Sequence, residues 1–339
     1  MHLPAPTFAA TIPSIYDGSK LEYRIYIPDQ LESTTTSPRP IKGAIVAHPY
    51  ASLGGSFYDP VVSFLGGELL KAGHVVGTFN FRYGAGESEG GTSWTAKPEL
   101  GDYTSFYGFM LQYLHQLQVM TQGRIDSLEP ALNQIQGQDR DQGSRAKENY
   151  GIRLILGGYS YGSFIASHLP TLDVIAELFQ PRTGVTSSPT PFEKISAEAR
   201  RIAALSIRAT QPRENRTDDQ GICVSTAISY LLMSPLLPPL TQVLTAFSTL
   251  SLQIGGTSAQ TRPAGCPADQ LRTHKTFALY GDKDTFNSVR KLRDWSSELG
   301  RMPQSLFQSC EIKGAGHFWR EDGVEERAKQ GLREWLQQV

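Results

Sequence analysis

The chain has 339 residues, with 32 Lys and Arg against 33 Asp and Glu, a net charge of −1. That balance lacks the basic footprint of a nucleic-acid binder, and the length suits one large α/β domain or a core with a small cap. Its three cysteines, Cys223, Cys266 and Cys310, are few, odd in number and far apart, which points to free thiols in a reducing, cytoplasmic setting.

Met1 to Pro13 has neither a basic nor an apolar signal region, so no secretory leader is expected. Short extended segments at Thr11–Ser14 and Leu21–Pro28, joined by the turn Asp17-Gly18, read as an antiparallel start. Apolar runs at Ala44–Ala47 and Val75–Phe79 read as buried strands, the first ending in His48-Pro49. The second leads into Asn80-Phe81-Arg82-Tyr83-Gly84-Ala85-Gly86-Glu87-Ser88. Arg82 is expected to pair locally with Glu87 or Glu89 rather than to bind a substrate carboxylate. Residues 121–149 are polar and rich in Gln, Asp and Arg, and read as an insertion remote from the chemistry.

The densest signal follows. Ile152, Leu154, Ile155 and Leu156 form a buried-strand pattern that runs into Gly158-Tyr159-Ser160-Tyr161-Gly162, and a helix-competent segment comes next. A Gly-x-Ser-x-Gly in that setting is a sharp strand-to-helix turn that exposes a serine hydroxyl, with small residues on either side to avoid collision. The new helix aims backbone N–H groups at any anion formed there. A serine hydroxyl is a weak nucleophile at neutral pH, so it needs a histidine to take its proton and a carboxylate to hold that histidine.

Candidates lie downstream. Phe277–Tyr280 reads as a strand followed by Gly281-Asp282-Lys283-Asp284, and Cys310–Lys313 reads as a strand followed by Gly314-Ala315-Gly316-His317-Phe318-Trp319. Between them lies the apolar stretch Ala227–Phe247. It is long enough for a membrane span, but Pro235, Pro238 and Pro239 interrupt it. The preferred reading is a strand Ile228–Met233, a loop Ser234–Pro239 and an apolar helix over Leu240–Leu252, with membrane contact unlikely. An amphipathic helix is expected from about Asp322 to Gln338. The histidines show no metal-ligand spacing, so neither metal nor other cofactor is expected.

The His48-Pro49 pair, the Asn80–Ser88 stretch, the Ser160 elbow, Gly281-x-x-Asp284 and Gly316-His317-Phe318 together resemble α/β-hydrolases. The likeness is to small serine hydrolases of the dienelactone-hydrolase-like and prolyl-peptidase-like branches, including forms common in fungi. It covers roughly residues 10–120, 150–175 and 222–339. The chain departs from the family's Arg-Gly-x-Gly at Arg82-Tyr83-Gly84-Ala85-Gly86 and follows the family loosely after Pro49.

The resemblance implies a single domain, 1–339, with a mostly parallel twisted sheet and helices on both faces. The insertion 178–221 falls where lids enter this fold, and lid and surface loop stay open as readings. Ser160 is the implied nucleophile, His317 the base and Asp284 its orienting acid, with Asp282 left to bond its own turn. Tyr161 N–H and Tyr50 N–H are the implied oxyanion donors, since Pro49 has no N–H. His48 is implied to brace the oxyanion loop, and it is grouped at the pocket with Tyr83, Leu236, Leu237, Phe318 and Trp319. The implied activity is hydrolysis of an ester, thioester or lactone of a small or medium apolar acyl compound. Lyase, cyclase or acyltransferase chemistry, peptidase action and non-catalytic binding are the alternatives. The oligomeric state is not legible.

Overall fold

The computed structural model describes residues 1–29, 40–83, 86–93, 95–136, 151–180, 188–210, 225–245, 250–255, 260–263 and 266–339. One eight-stranded sheet organises them. Its strands are β1 (Phe8–Pro13), β2 (Lys20–Tyr26), β3 (Ile41–Ala47), β4 (Val75–Phe79), β5 (Gly151–Tyr159), β6 (Ser225–Met233), β9 (Lys275–Lys283) and β10 (Phe307–Gly316), in spatial order β1-β2-β4-β3-β5-β6-β9-β10. The small β7 (Ser251–Ile254) and β8 (Gln260–Pro263) form a separate antiparallel pair. Strand β2 runs antiparallel to β1 and β4, and all other pairings in the large sheet are parallel. This is the α/β-hydrolase fold.

The central strands are apolar on both sides because helices cover both faces. Alternation sorts their side chains into two layers. Ile45, Leu154 and Leu156 join one core, built with Phe106, Met110 and Leu117 of α2 (Lys97–Gln136) and Ile165 of α3 (Tyr161–Ser167). Ala44, Val46 and Ile155 join the other, built with Val62, Leu65 and Leu69 of α1 (Pro60–Lys71) and with Leu332 and Trp335 of α9 (Val324–Leu336). Parallel strands between two helical layers place all their C-terminal ends on one rim, where loops can gather.

Helix α2 carries the chain to Gln136, well into the stretch expected as a polar insertion; 137–150 lie outside the described residues. The segment 178–221 follows α4 (Leu172–Leu178) and contains α5 (Pro191–Thr210). Ile195, Ala199, Ile202 and Ala203 of α5 are buried, Tyr113 and Ser206 hydroxyls meet at 2.8 Å, and Tyr23 donates to Glu198 at 2.6 Å. Residues 181–187 and 211–224 lie outside the described residues. The apolar helix expected over Leu240–Leu252 is replaced by a short α6 (Leu240–Leu244) and by β7, whose Leu252 pairs with Arg262 of β8. Apolar length alone does not separate a short helix from a strand. Among the described residues no helix is long and apolar enough to cross a membrane.

Arg82 pairs with partners other than those expected. Its guanidinium donates to Asp102 at 2.9 and 2.7 Å and to Asp17 at 3.0 Å, and its N–H reaches Asp102 at 3.1 Å. Asp102 also accepts from Ser14 at 2.7 Å. The acid arrives on α2, twenty positions along the chain, and is wholly buried.

Candidate active site

Strand β5 ends at Tyr159, and Ser160 then takes φ 55°, ψ −113°, a left-handed conformation that turns the chain at once into α3. The turn needs its glycines. A Cβ at Gly158 would collide with the backbone of Gly162, and one at Gly162 with the backbone of Ala47 in β3. Ser160 N–H donates to Met233 O at 2.8 Å, seating the serine beside the end of β6.

Asp284 follows β9 directly and His317 follows β10 directly, so three strand ends converge on one rim. Ser160 Oγ lies 2.8 Å from His317 Nε2, and His317 Nδ1 lies 2.7 Å from Asp284 Oδ2. With a carboxylate at Nδ1, that nitrogen carries the proton, and Nε2 is left to accept from the serine hydroxyl. The other Asp284 oxygen accepts from Phe286 N–H at 2.8 Å and Asn287 N–H at 3.0 Å. Burial pushes the Asp284 carboxyl up, but the bond and charge of His317 and the two N–H groups outweigh it, and its pKa ends below the ordinary value. The acid is therefore ionised wherever His317 would use it.

Asp282 does not bond its own turn. Its Oδ1 accepts from Gly314 N–H, tying β9 to β10 just before the histidine loop. His317 is further held by Tyr159, whose hydroxyl donates to the His317 carbonyl at 2.8 Å, and the Phe286 ring packs 4.4 Å from the imidazole. Phe286 and Asn287 were missed in the sequence, although both sit in the same turn as Asp284.

Tyr161 N–H opens α3, where no helix carbonyl can accept it. Tyr50 lies in the loop after β3, at the start of the 3-10 turn Ala51–Leu53, and its ring packs 5.0 Å from that of Tyr161. His48 is fully buried. Its Nδ1–H donates to Pro49 O at 2.5 Å and its Nε2 accepts from Phe81 N–H at 2.9 Å. Both ring nitrogens are spent on backbone, so His48 braces the loop and is no pocket contact. Burial pushes its pKa down to about 4, against the pull of the Pro49 carbonyl.

Trp319 is likewise no lining residue. It is 5% exposed, takes φ 55°, and donates Nε1–H to Ser234 Oγ at 2.9 Å, which folds the ring into the core beside α1 and α9. Phe318 and Tyr83 are more than half exposed. Leu236 and Leu237 line a cavity of about 330 Å³ beside α3. Among the described residues no group of three or more His, Cys, Asp or Glu is placed to hold a metal ion.

Two buried polar atoms lie outside this hydrogen-bonded series. The Tyr161 hydroxyl and Glu99 Oε2 are both enclosed without a hydrogen-bond partner, while Glu99 Oε1 accepts from Ser93 N–H at 2.7 Å. Burial raises the Glu99 carboxyl to about 7 against the pull of Ser93, and the Asp102 charge adds to the rise. An unfolded glutamate ionises near 4.5, so the folded state holds the extra proton between the two values. Stability is expected to fall as pH rises through that window, by on the order of 3 kcal/mol in all. Glu99→Gln should remove this fall. Urea midpoints of both proteins across the window check it, and equal slopes would refute it.

No protein-family model matches the chain. No curated protein matches it either. Solved structures similar to it include XC6422 of Xanthomonas campestris, described as an α/β serine hydrolase without a lid (14% identity, 100% of this chain and 97% of that one, TM-score 0.47). Another is the esterase Est2 of Thermogutta terrifontis with propionate bound (11%, 98% and 94%, TM-score 0.49). A third is Est1E of Butyrivibrio proteoclasticus with ferulic acid bound (13%, 97% and 98%, TM-score 0.45). Similarity at this level does not extend to chemistry.

Proposed function

We propose that the chain is a serine hydrolase that transfers an acyl group from an ester, thioester or lactone to water. The supporting observation is the continuous hydrogen-bonded series from Ser160 Oγ through His317 to Asp284, at 2.8 and 2.7 Å. Ser160 attacks the carbonyl carbon as His317 Nε2 takes its proton, and Asp284 holds the imidazole and stabilises the imidazolium. The carbonyl π electrons move to oxygen, and the N–H groups of Tyr50 and Tyr161 receive that oxyanion. Collapse expels the alcohol, thiol or tethered hydroxyl, protonated by His317, and leaves acyl-Ser160. Water then attacks with His317 again as base, and the acid departs. Within the superfamily, the dienelactone-hydrolase-like motifs favour a small-substrate enzyme.

Intact-mass measurement after a fluorophosphonate probe tests the reading. Wild type is expected to gain one adduct that Ser160→Ala does not gain. An unlabelled, folded wild type would overturn it.

A further inference from the structure

The cavity beside α3 is not needed for the bond-breaking steps, and its walls indicate what it takes. It begins one helical turn from the serine. Ser163, Phe164 and Ser167 line it, three, four and seven positions after Ser160 and on the same side of the helix. The facing wall comes from the neighbouring strand end: Ser160 N–H is bonded to Met233 O, and Leu232, Leu236 and Leu237 on either side of Met233 line the cavity.

Three polar side chains of the wall spend their hydrogens on the backbone of α3 and the turn before it. Ser163 donates to Ser160 O at 2.7 Å, Ser167 to Phe164 O at 2.8 Å, and His168 Nδ1–H to Phe164 O at 2.8 Å. Most of the rest of the lining is aliphatic or aromatic, including Leu232, Leu236, Leu271 and Trp295, with Thr241, Cys266 and Glu298 as its other polar side chains. The roof is rigid too. Asn287 donates to Pro235 O and accepts from Leu237 N–H, both at 3.1 Å, and its own N–H holds Asp284. Ligand pockets run from about 300 to 1,000 Å³, so a volume of about 330 Å³ is at the narrow end. At about 30 Å³ for each group of water size, it holds roughly ten such groups.

We infer that this cavity receives the hydrocarbon chain of a medium-length linear acyl group while its carbonyl lies at Ser160. The inference rests on the hydrolase reading above and adds the substrate class. A polar acid would set most of its polar groups against a largely apolar wall, where they go unpaired. A linear chain would gain about fourfold in transition-state binding for each methylene buried.

The test compares kcat/KM for p-nitrophenyl acetate and octanoate in wild type, Ala268→Trp and Met302→Trp. The two variants fill the cavity from separate elements, so one reports if the other fails to fold. With all six extra methylenes buried, wild type is expected to favour octanoate by on the order of 10³-fold, and each folded variant should lower the octanoate-to-acetate ratio at least about tenfold. A wild-type preference for acetate, or a ratio unchanged in a folded variant, would overturn the cavity assignment alone. Turnover of neither ester by wild type would remove the hydrolase reading, and the assignment with it.

Discussion

Replacing His317 with glutamine is expected to lower kcat for the best ester substrate by about 10⁴–10⁶. Glutamine keeps much of the side chain's size but cannot take and return a proton, so under the proposed mechanism Ser160 loses its base in both half-reactions. Among the described residues no other histidine is placed to substitute. His48 is buried, with both nitrogens committed to backbone, and His168 spends Nδ1–H on its own helix. The loss should appear in kcat more than in KM, since the imidazole acts on the bond being made and not on the resting ester. Single-turnover acylation of wild type and variant, with circular dichroism to confirm the fold, measures it. A kcat within about tenfold of wild type would remove His317 from the mechanism.

Arg82→Met is expected to cost about 3–5 kcal/mol of stability. Asp102 is fully buried and its carboxyl is already pushed up by burial against the pull of Arg82. Without the guanidinium the Ser14 hydroxyl and one backbone N–H remain as its partners, too little for a charge away from water. Asp102→Leu in the same chain should recover much of the loss, because removing both charges avoids the uncompensated ion. Urea denaturation of the single and double variants decides this. A double variant no more stable than Arg82→Met would show that the pair holds the loop geometrically rather than by neutralising Asp102.

The legible and illegible parts of this chain differ in the range of the interactions concerned. The Ser160 elbow, Asp284 and His317 each follow an apolar strand pattern, which marked the three segments; the family resemblance then chose Asp284 over Asp282, and the three residues lie within hydrogen bonds of one another. The strands were legible for the same reason, since burial on both faces writes unbroken apolar runs. Partners chosen by folding were not. Asp102 looks like any acid on a long helix, and only the packing of α2 against the loop after β4 makes it the partner of Arg82 in place of Glu87 or Glu89. Asp282 was expected to serve its own turn, but the parallel neighbour β10 brought Gly314 N–H to it. Trp319 sits beside the histidine in sequence, yet its left-handed backbone turns the ring into the core. The helix expected over Leu240–Leu252 ends with α6, and by Ser251 pairing with β8 has replaced it.

The backbone at Ser160 has a consequence for how such a chain changes over generations. A serine at φ 55° carries strain of order 1–3 kcal/mol, and glycine would carry almost none of it. Total stability is commonly only about 5–15 kcal/mol, so that strain is a visible fraction of it. Selection for stability alone would replace this serine with glycine. A serine here is a standing cost, and the proposed chemistry at its hydroxyl would be the return that offsets it.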